Sequence, residues 1–255
     1  MIQEEVFFDN SKGMRLHGVL RFPYENAQNL PAIIICHGFM NHKDHILINY
    51  LATTLTKKGF VTLRFDFSHH GTSEGDTEDA TVTKQIDDLK SAIKFMLDEG
   101  SVDSSKIGVL GHSLGGSVAI MSCIDNQNVR AIVTLNATAH INQLIDSYLS
   151  DTEMLQWRKT GSTFINGNKL NKHFLDDAEK YEVLEYAKQL NCPLLIVHGA
   201  SDRRVPPLSA RELLRDSNLP KDLKLIEGAN HDFTAEQNRE EIISLTFSWF
   251  NRFMR

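Results

Sequence analysis

The sequence predicts an α/β fold: a mostly parallel central sheet, helices on both faces and a small inserted cap. Three observations carry that expectation. Continuous apolar runs such as Pro31-Ala-Ile-Ile-Ile-Cys-His37 and Leu194-Leu-Ile-Val-His198 read as strands buried on both faces. Stretches with apolar residues at helical spacing alternate with them, and that alternation is what places a parallel sheet between two helical layers. One interval, between Leu135 and Leu194, is far longer than a usual connection and carries helix and hairpin signals of its own. With 255 residues and no Pro-rich, Gly/Ser-rich or single-charge linker, residues 1–255 read as one domain, with the insertion at about 138–182.

In chain order, Glu5-Val-Phe-Phe8 and Met14 to Phe22 alternate with period two around the turn-forming Asp9-Asn-Ser-Lys-Gly13, which predicts an opening hairpin. The strand at 31–37 is followed by a helix over about 44–58 and a strand, Phe60 to Phe65. Ile86, Leu89, Ile93 and Leu97 mark one face of a helix over about 82–98. A strand at 106–110, a helix after Ser113 and a strand from Arg130 to Leu135 come next. The insertion reads as helices at about 141–149, 151–158 and 182–189, with Thr163 to Leu170 bearing an Asn-Gly hairpin signal. The strand at 194–198, a helix from Ser209 to Arg215, a strand from Leu223 to Ile226 and a closing helix over about 236–253 complete the pattern.

The formal net charge of −6, with both signs interspersed, argues against a nucleic-acid footprint. The acidic N-terminus lacks signal-peptide layout, and no apolar run approaches membrane-spanning length. Cys36, Cys123 and Cys192 lack metal-ligand spacing and read as buried free thiols, which points to a cytoplasmic location. Oligomeric state leaves no mark in the sequence.

The chemistry centres on Gly111-His-Ser-Leu-Gly115, placed between a strand and a helix. That context turns a G-x-S-x-G run into a nucleophile elbow: Ser113 is lifted clear of the sheet, and Gly111 and Gly115 leave room where a Cβ would collide. The competing reading is a turn whose serine caps the next helix. A serine hydroxyl needs a base, and the base needs an orienting group. Active residues of such sheets gather beyond the carboxyl ends of strands. There the sequence places Asp202, in Gly199-Ala-Ser-Asp202, and His231, in Glu227-Gly-Ala-Asn-His231. Ser113, Asp202 and His231 stand in the chain order this elbow requires. Asp232 is the rival acid, with Asp176 and Asp177 weaker rivals in the insertion. The oxyanion donors are expected at the Leu114 N–H and, through His37-Gly-Phe39, the Phe39 N–H. His42, His45, His69 and His70 invite a metal reading that no carboxylate or cysteine pattern supports. No metal is expected.

Together His37-Gly-Phe39, Arg64-Phe-Asp-Phe-Ser-His-His-Gly-Thr-Ser-Glu-Gly75, the 111–116 elbow, Leu195 to Asp202 and Glu227 to His231 resemble the α/β-hydrolase family over essentially the whole chain. Within that family the same features resemble small serine carboxylesterases of the feruloyl (cinnamoyl) esterase and monoacylglycerol lipase-like types. Two departures stand out: the oxyanion loop is His-Gly-Phe, not His-Gly-Gly-Gly, and Ser68-His-His70 replaces an Arg-Gly-His type sequence. The resemblance implies no cofactor and a small-molecule ester substrate, cleaved through an acyl-enzyme on Ser113. Thioester, amide or monoacylglycerol hydrolysis and acyl transfer reuse the same groups. A non-catalytic ligand receptor is the remaining alternative. Leu144, Tyr148, Leu155, Trp157, Phe164 and Phe174 of the insertion are candidates to line a pocket or to pack the insertion onto the body.

Overall fold

A computed structural model describes residues 1–218 and 220–254. Its strands are β1 (Ile2–Asp9), β2 (Arg15–Phe22), β3 (Leu30–Cys36), β4 (Val61–Phe65), β5 (Val102–His112), β6 (Val129–Leu135), β7 (Ser162–Ile165), β8 (Asn168–Asn171), β9 (Leu194–Gly199) and β10 (Lys221–Ile226). Its α-helices are α1 (Ile46–Lys57), α2 (Val82–Leu97), α3 (Leu114–Ser122), α4 (Ile141–Asp146), α5 (Asp151–Thr160), α6 (His173–Ala178), α7 (Val183–Gln189), α8 (Leu208–Asp216) and α9 (Glu236–Met254). An 8-stranded sheet runs in the order β1-β2-β4-β3-β5-β6-β9-β10. Among the described residues of this sheet, only the pairs β1–β2 and β2–β4 are antiparallel. The mostly parallel α/β sheet expected from the sequence is the one observed.

Period-two alternation divides the core between the two faces of the sheet. On β3, Ala32, Ile34 and Cys36 pack toward α2 and α3, whereas Ile33 and Ile35 pack toward α1 and α9. The packing is close: a Cβ on Gly108 of β5 would lie 2.5 Å from the Phe250 ring of α9. Cys36, Cys123 and Cys192 are all free and buried, and burial pushes the Cys192 thiol up to about 12. Among the described residues no helix is long and apolar enough to cross a membrane.

Between β6 and β9 lie α4 to α7 and the separate β7–β8 hairpin. Local chemistry sets these short elements. Ser150 and Glu153 form a reciprocal capping box at the start of α5, and Gly161 ends it in a left-handed conformation at φ 85°. The hairpin turns at Asn166-Gly167, both with positive φ. Two details differ from the sequence reading. The helix expected over 141–149 stops at Asp146, and α6, only six residues long, has too little periodicity to be read in advance. Of the six insertion residues weighed above, Leu144, Trp157 and Phe174 are core, Leu155 and Phe164 face solvent at 70% and 67% exposure, and Tyr148 is half-buried.

Candidate active site

β5 ends in the turn that the glycine pattern demands. Ser113 sits at φ 53°, ψ −126°, a conformation that L-residues avoid, and it begins α3 without capping it. The helix-cap reading of this serine therefore does not describe the structure. A Cβ on Gly111 would lie 2.3 Å from the Gly115 carbonyl oxygen, and one on Gly115 would lie 2.3 Å from that of His37. The Ser113 N–H donates to the Leu135 carbonyl at 2.8 Å, fixing the turn against the end of β6.

Asp202 follows β9 and His231 follows β10, and His231 reaches both the serine and Asp202. His231 Nε2 lies 3.0 Å from Ser113 Oγ, and His231 Nδ1 lies 2.7 Å from Asp202 Oδ2. Burial pushes the Asp202 carboxyl up, but the hydrogen bond and charge of His231 and the Val205 N–H outweigh it and hold the pKa below the ordinary value. A carboxylate only accepts, so His231 Nδ1 carries the proton and Nε2 is left to accept from the Ser113 hydroxyl. Asp202 Oδ1 accepts from the Arg204 and Val205 N–H groups at 2.9 and 3.0 Å, so the carboxylate cannot swing away. Ser113 is 1% exposed and His231 7%, which makes the site water-poor.

The loop after β3 completes the arrangement. A Cβ on Gly38 would lie 3.0 Å from Ser113 Cβ, so the chain at Gly38 runs directly beside the serine. Among the described residues neither the Phe39 nor the Leu114 N–H donates a hydrogen bond. The Phe67 N–H donates to His37 Nε2 at 3.2 Å, so His37 Nδ1 carries the proton and donates to the Gly38 carbonyl at 2.9 Å. Behind the loop, buried Lys43 pairs with buried Asp66 at 2.9 Å, and Asp66 also accepts from the Lys43 and Thr72 N–H groups. The ring of Phe39 meets Tyr148 and Phe174 of the insertion, with centroids at 5.3 and 5.1 Å, and the Arg204 guanidinium lies 4.6 Å over the Tyr148 ring.

The two rival acids of the insertion go elsewhere. Asp177 accepts from the Thr83 N–H and hydroxyl at the start of α2, and Asp176 pairs with Lys172. His69 and His70 bond the carbonyls of Asp76 and Ser68 through Nδ1. Among the described residues no group of three or more His, Cys, Asp or Glu is placed to hold a metal ion. Sequence reasoning did not single out Asn136 and His112, both buried against the His231 loop. The one available signal was an asparagine directly after a strand, a residue type that tolerates left-handed backbone.

The family model described as BD-FAE matches residues 20–216. An uncharacterized 31.7 kDa protein of Escherichia coli, from the traX-finO intergenic region, is 25% identical over 281 residues, covering 95% of this chain and 96% of that protein. The thiohydrolase aneE of Aspergillus aculeatus is 33% identical over 132 residues, covering 51% of this chain and 40% of its own length. Among solved structures, Est1E from Butyrivibrio proteoclasticus with bound ferulic acid superposes with a TM-score of 0.82 at 22% identity, over 97% of this chain and 98% of that one.

Proposed function

The chain belongs to the BD-FAE family of α/β-hydrolases, and from that premise we propose that it is a serine hydrolase cleaving carboxylic esters through an acyl-enzyme on Ser113. The observation that carries the reading is the continuous relay from Asp202 through His231 to Ser113, at 2.7 and 3.0 Å, beside two unused amides. Ser113 Oγ attacks the ester carbonyl while His231 Nε2 takes its proton. Asp202 holds the imidazole and stabilises the imidazolium. The Phe39 and Leu114 N–H groups receive the oxyanion, each worth on the order of 100-fold in rate. His231 then protonates the leaving alcohol, and a water activated by the same imidazole releases the acid. Every step draws on groups of this chain.

An aromatic acyl group of the ferulate type is the proposed substrate class. It is supported by the family match, by the ferulic acid bound to Est1E, and by the Phe39, Tyr148 and Phe174 rings grouped beside the oxyanion loop. The local match to a thiohydrolase favours thioester cleavage as the second reading. Rates on ethyl ferulate, p-nitrophenyl butyrate and an aliphatic acyl thioester, measured in parallel, separate the two. Ser113→Ala is expected to abolish turnover of all three and labelling by a fluorophosphonate. Retention of most activity in that variant would sink the serine mechanism.

A further inference from the structure

Two buried side-chain donors converge on one acceptor, the main-chain carbonyl of His231. His112 Nε2 lies 2.8 Å from that oxygen and Asn136 Nδ2 lies 2.7 Å from it. His112 is 2% exposed and Asn136 0%. One partner is enough to offset the burial of a carbonyl. Filling both lone pairs from side chains instead pins the oxygen in two directions.

Asn136 reaches further than this one bond. Its Nδ2 also donates to the Asn230 carbonyl at 3.2 Å, and its Oδ1 accepts from the Gly199 N–H at 2.7 Å. Its own N–H donates to Val197 at 2.9 Å. The residue stands at φ 51°, in the left-handed region that asparagine tolerates better than other side-chain-bearing residues. Asn136 therefore joins the end of β9, which leads into Asp202, to the loop that carries His231. His112, the residue preceding Ser113, joins the same loop to the end of β5.

We infer that His112 and Asn136 are positioning residues that clamp the His231 main chain and so hold the imidazole in line between Asp202 and Ser113. The inference rests on the catalytic reading of those three residues. The chemistry of the clamp fits the task. A donor beside the base has to be uncharged, because the base becomes an imidazolium during the reaction and a second cation would oppose it. The His112 ring centroid is 5.0 Å from that of His231. Burial, followed by the charge of His231, holds the His112 pKa down to about 3, so this donor stays neutral while still offering its Nε2–H. An amide, at Asn136, is neutral at every pH.

The test uses the whole chain and the second-order rate of Ser113 labelling by a fluorophosphonate, alongside kcat and KM on p-nitrophenyl butyrate. His112→Leu and Asn136→Gly each remove a donor, and the glycine keeps the backbone conformation. Both are expected to slow labelling and kcat by about 10- to 100-fold with KM within about threefold, because small misalignments of reacting groups cost rates of that order. His112→Gln, which restores an N–H, is expected to recover most of the loss. The downfield proton resonance of His231 Nδ1–H should shift or broaden in the two deletion variants and return in His112→Gln. If one deletion variant fails to fold, the other carries the same comparison. Labelling and kcat within threefold of wild type in a folded deletion variant, with the downfield resonance unmoved, would overturn the clamp. A wild-type chain that is not labelled at Ser113 removes the catalytic reading itself, and the clamp with it.

Discussion

The sheet edge that carries Ser113 and the layer formed between β6 and β9 are held in place by different physics. At the sheet edge backbone lies against backbone: a Cβ on Gly115 would lie 2.3 Å from the His37 oxygen, and one on Gly199 would lie 2.4 Å from the Ala229 oxygen. In the layer between β6 and β9, Gly161 and Gly167 have nothing within 4 Å of such a Cβ, and only their φ angles of 85° and 81° limit substitution. The layer is fastened by side chains instead, with Asp177 on Thr83, Lys169 paired with Glu78, and Asn171 on Asp79. The difference teaches where variation is tolerated. The reacting geometry depends on main-chain packing that admits no added atom, while the layer between β6 and β9 is held by side chains, buried apolar ones such as Leu144, Trp157 and Phe174 together with a few polar contacts to the body.

The largest expected effect breaks this comparison most directly. Gly115→Ala forces a backbone carbonyl to move, so it should cost more than about 3 kcal/mol, or roughly 10 °C in melting temperature for a chain of this size. Gly161→Ala meets open space and should cost only about 1 kcal/mol, for an alanine held at positive φ. Urea denaturation of the two variants side by side measures both. Equal costs would mean that the two regions are not built differently.

Much of this division is legible in the sequence, and the reasons are physical. Strands buried on both faces announce themselves as apolar runs, and an α/β alternation places Ser113, Asp202 and His231 beyond strand ends before any distance is known. Contacts between loops leave no such trace. Lys43 and Asp66 are 23 residues apart, and nothing in either loop marks them as a buried ion pair. His112 occupies the unrestricted position of its motif, and α6 is too short to show a period. Asp177 reads as a stray acid in an insertion until Thr83 is seen beside it, 94 residues away.

Two carboxylates sharpen the comparison through pH. Asp88, on α2 in the body, accepts from Asn10 and twice from Ser68, yet burial outweighs those bonds and raises its pKa to about 6. Burial also opposes ionisation of Asp177, but there the bonds from Thr83 and Lys180 win and the pKa falls below the ordinary value. The signs are opposite. The folded protein holds the Asp88 proton more tightly than the unfolded chain does. The stability it contributes is complete below the ordinary carboxylate pKa and is lost as pH rises through 6, by about 3 kcal/mol at 1.36 kcal/mol per pKa unit. The Asp177 contribution is present above the ordinary pKa and is lost as pH falls through the folded value. Denaturation midpoints of wild type and Asp88→Asn between pH 4 and 7 check the first statement. The wild-type slope should flatten in the variant, and an unchanged slope would assign it to other groups.

Asp177→Ala has a smaller expected effect than Gly115→Ala and isolates the layer between β6 and β9. The carboxylate satisfies the Thr83 N–H, one of the amides at the start of α2 that no helical carbonyl can reach. It also takes the Thr83 hydroxyl at 2.7 Å and Lys180 Nζ at 3.0 Å. Removing it should cost about 1–2 kcal/mol, the range of a lost helix cap or charge-assisted bond. The cost should fall locally, because none of these bonds touches the sheet. Amide hydrogen exchange is expected to quicken over α6 and the β7–β8 hairpin and to stay unchanged in β5 and β9. In kinetics, KM should rise a few-fold while kcat holds, since Phe174 of α6 packs on Phe39 but the bonds among Ser113, His231 and Asp202 involve no residue of the layer. A fall in kcat at constant KM would instead mean that the layer helps to set the reacting geometry, and that the two regions are coupled through the Phe39 loop.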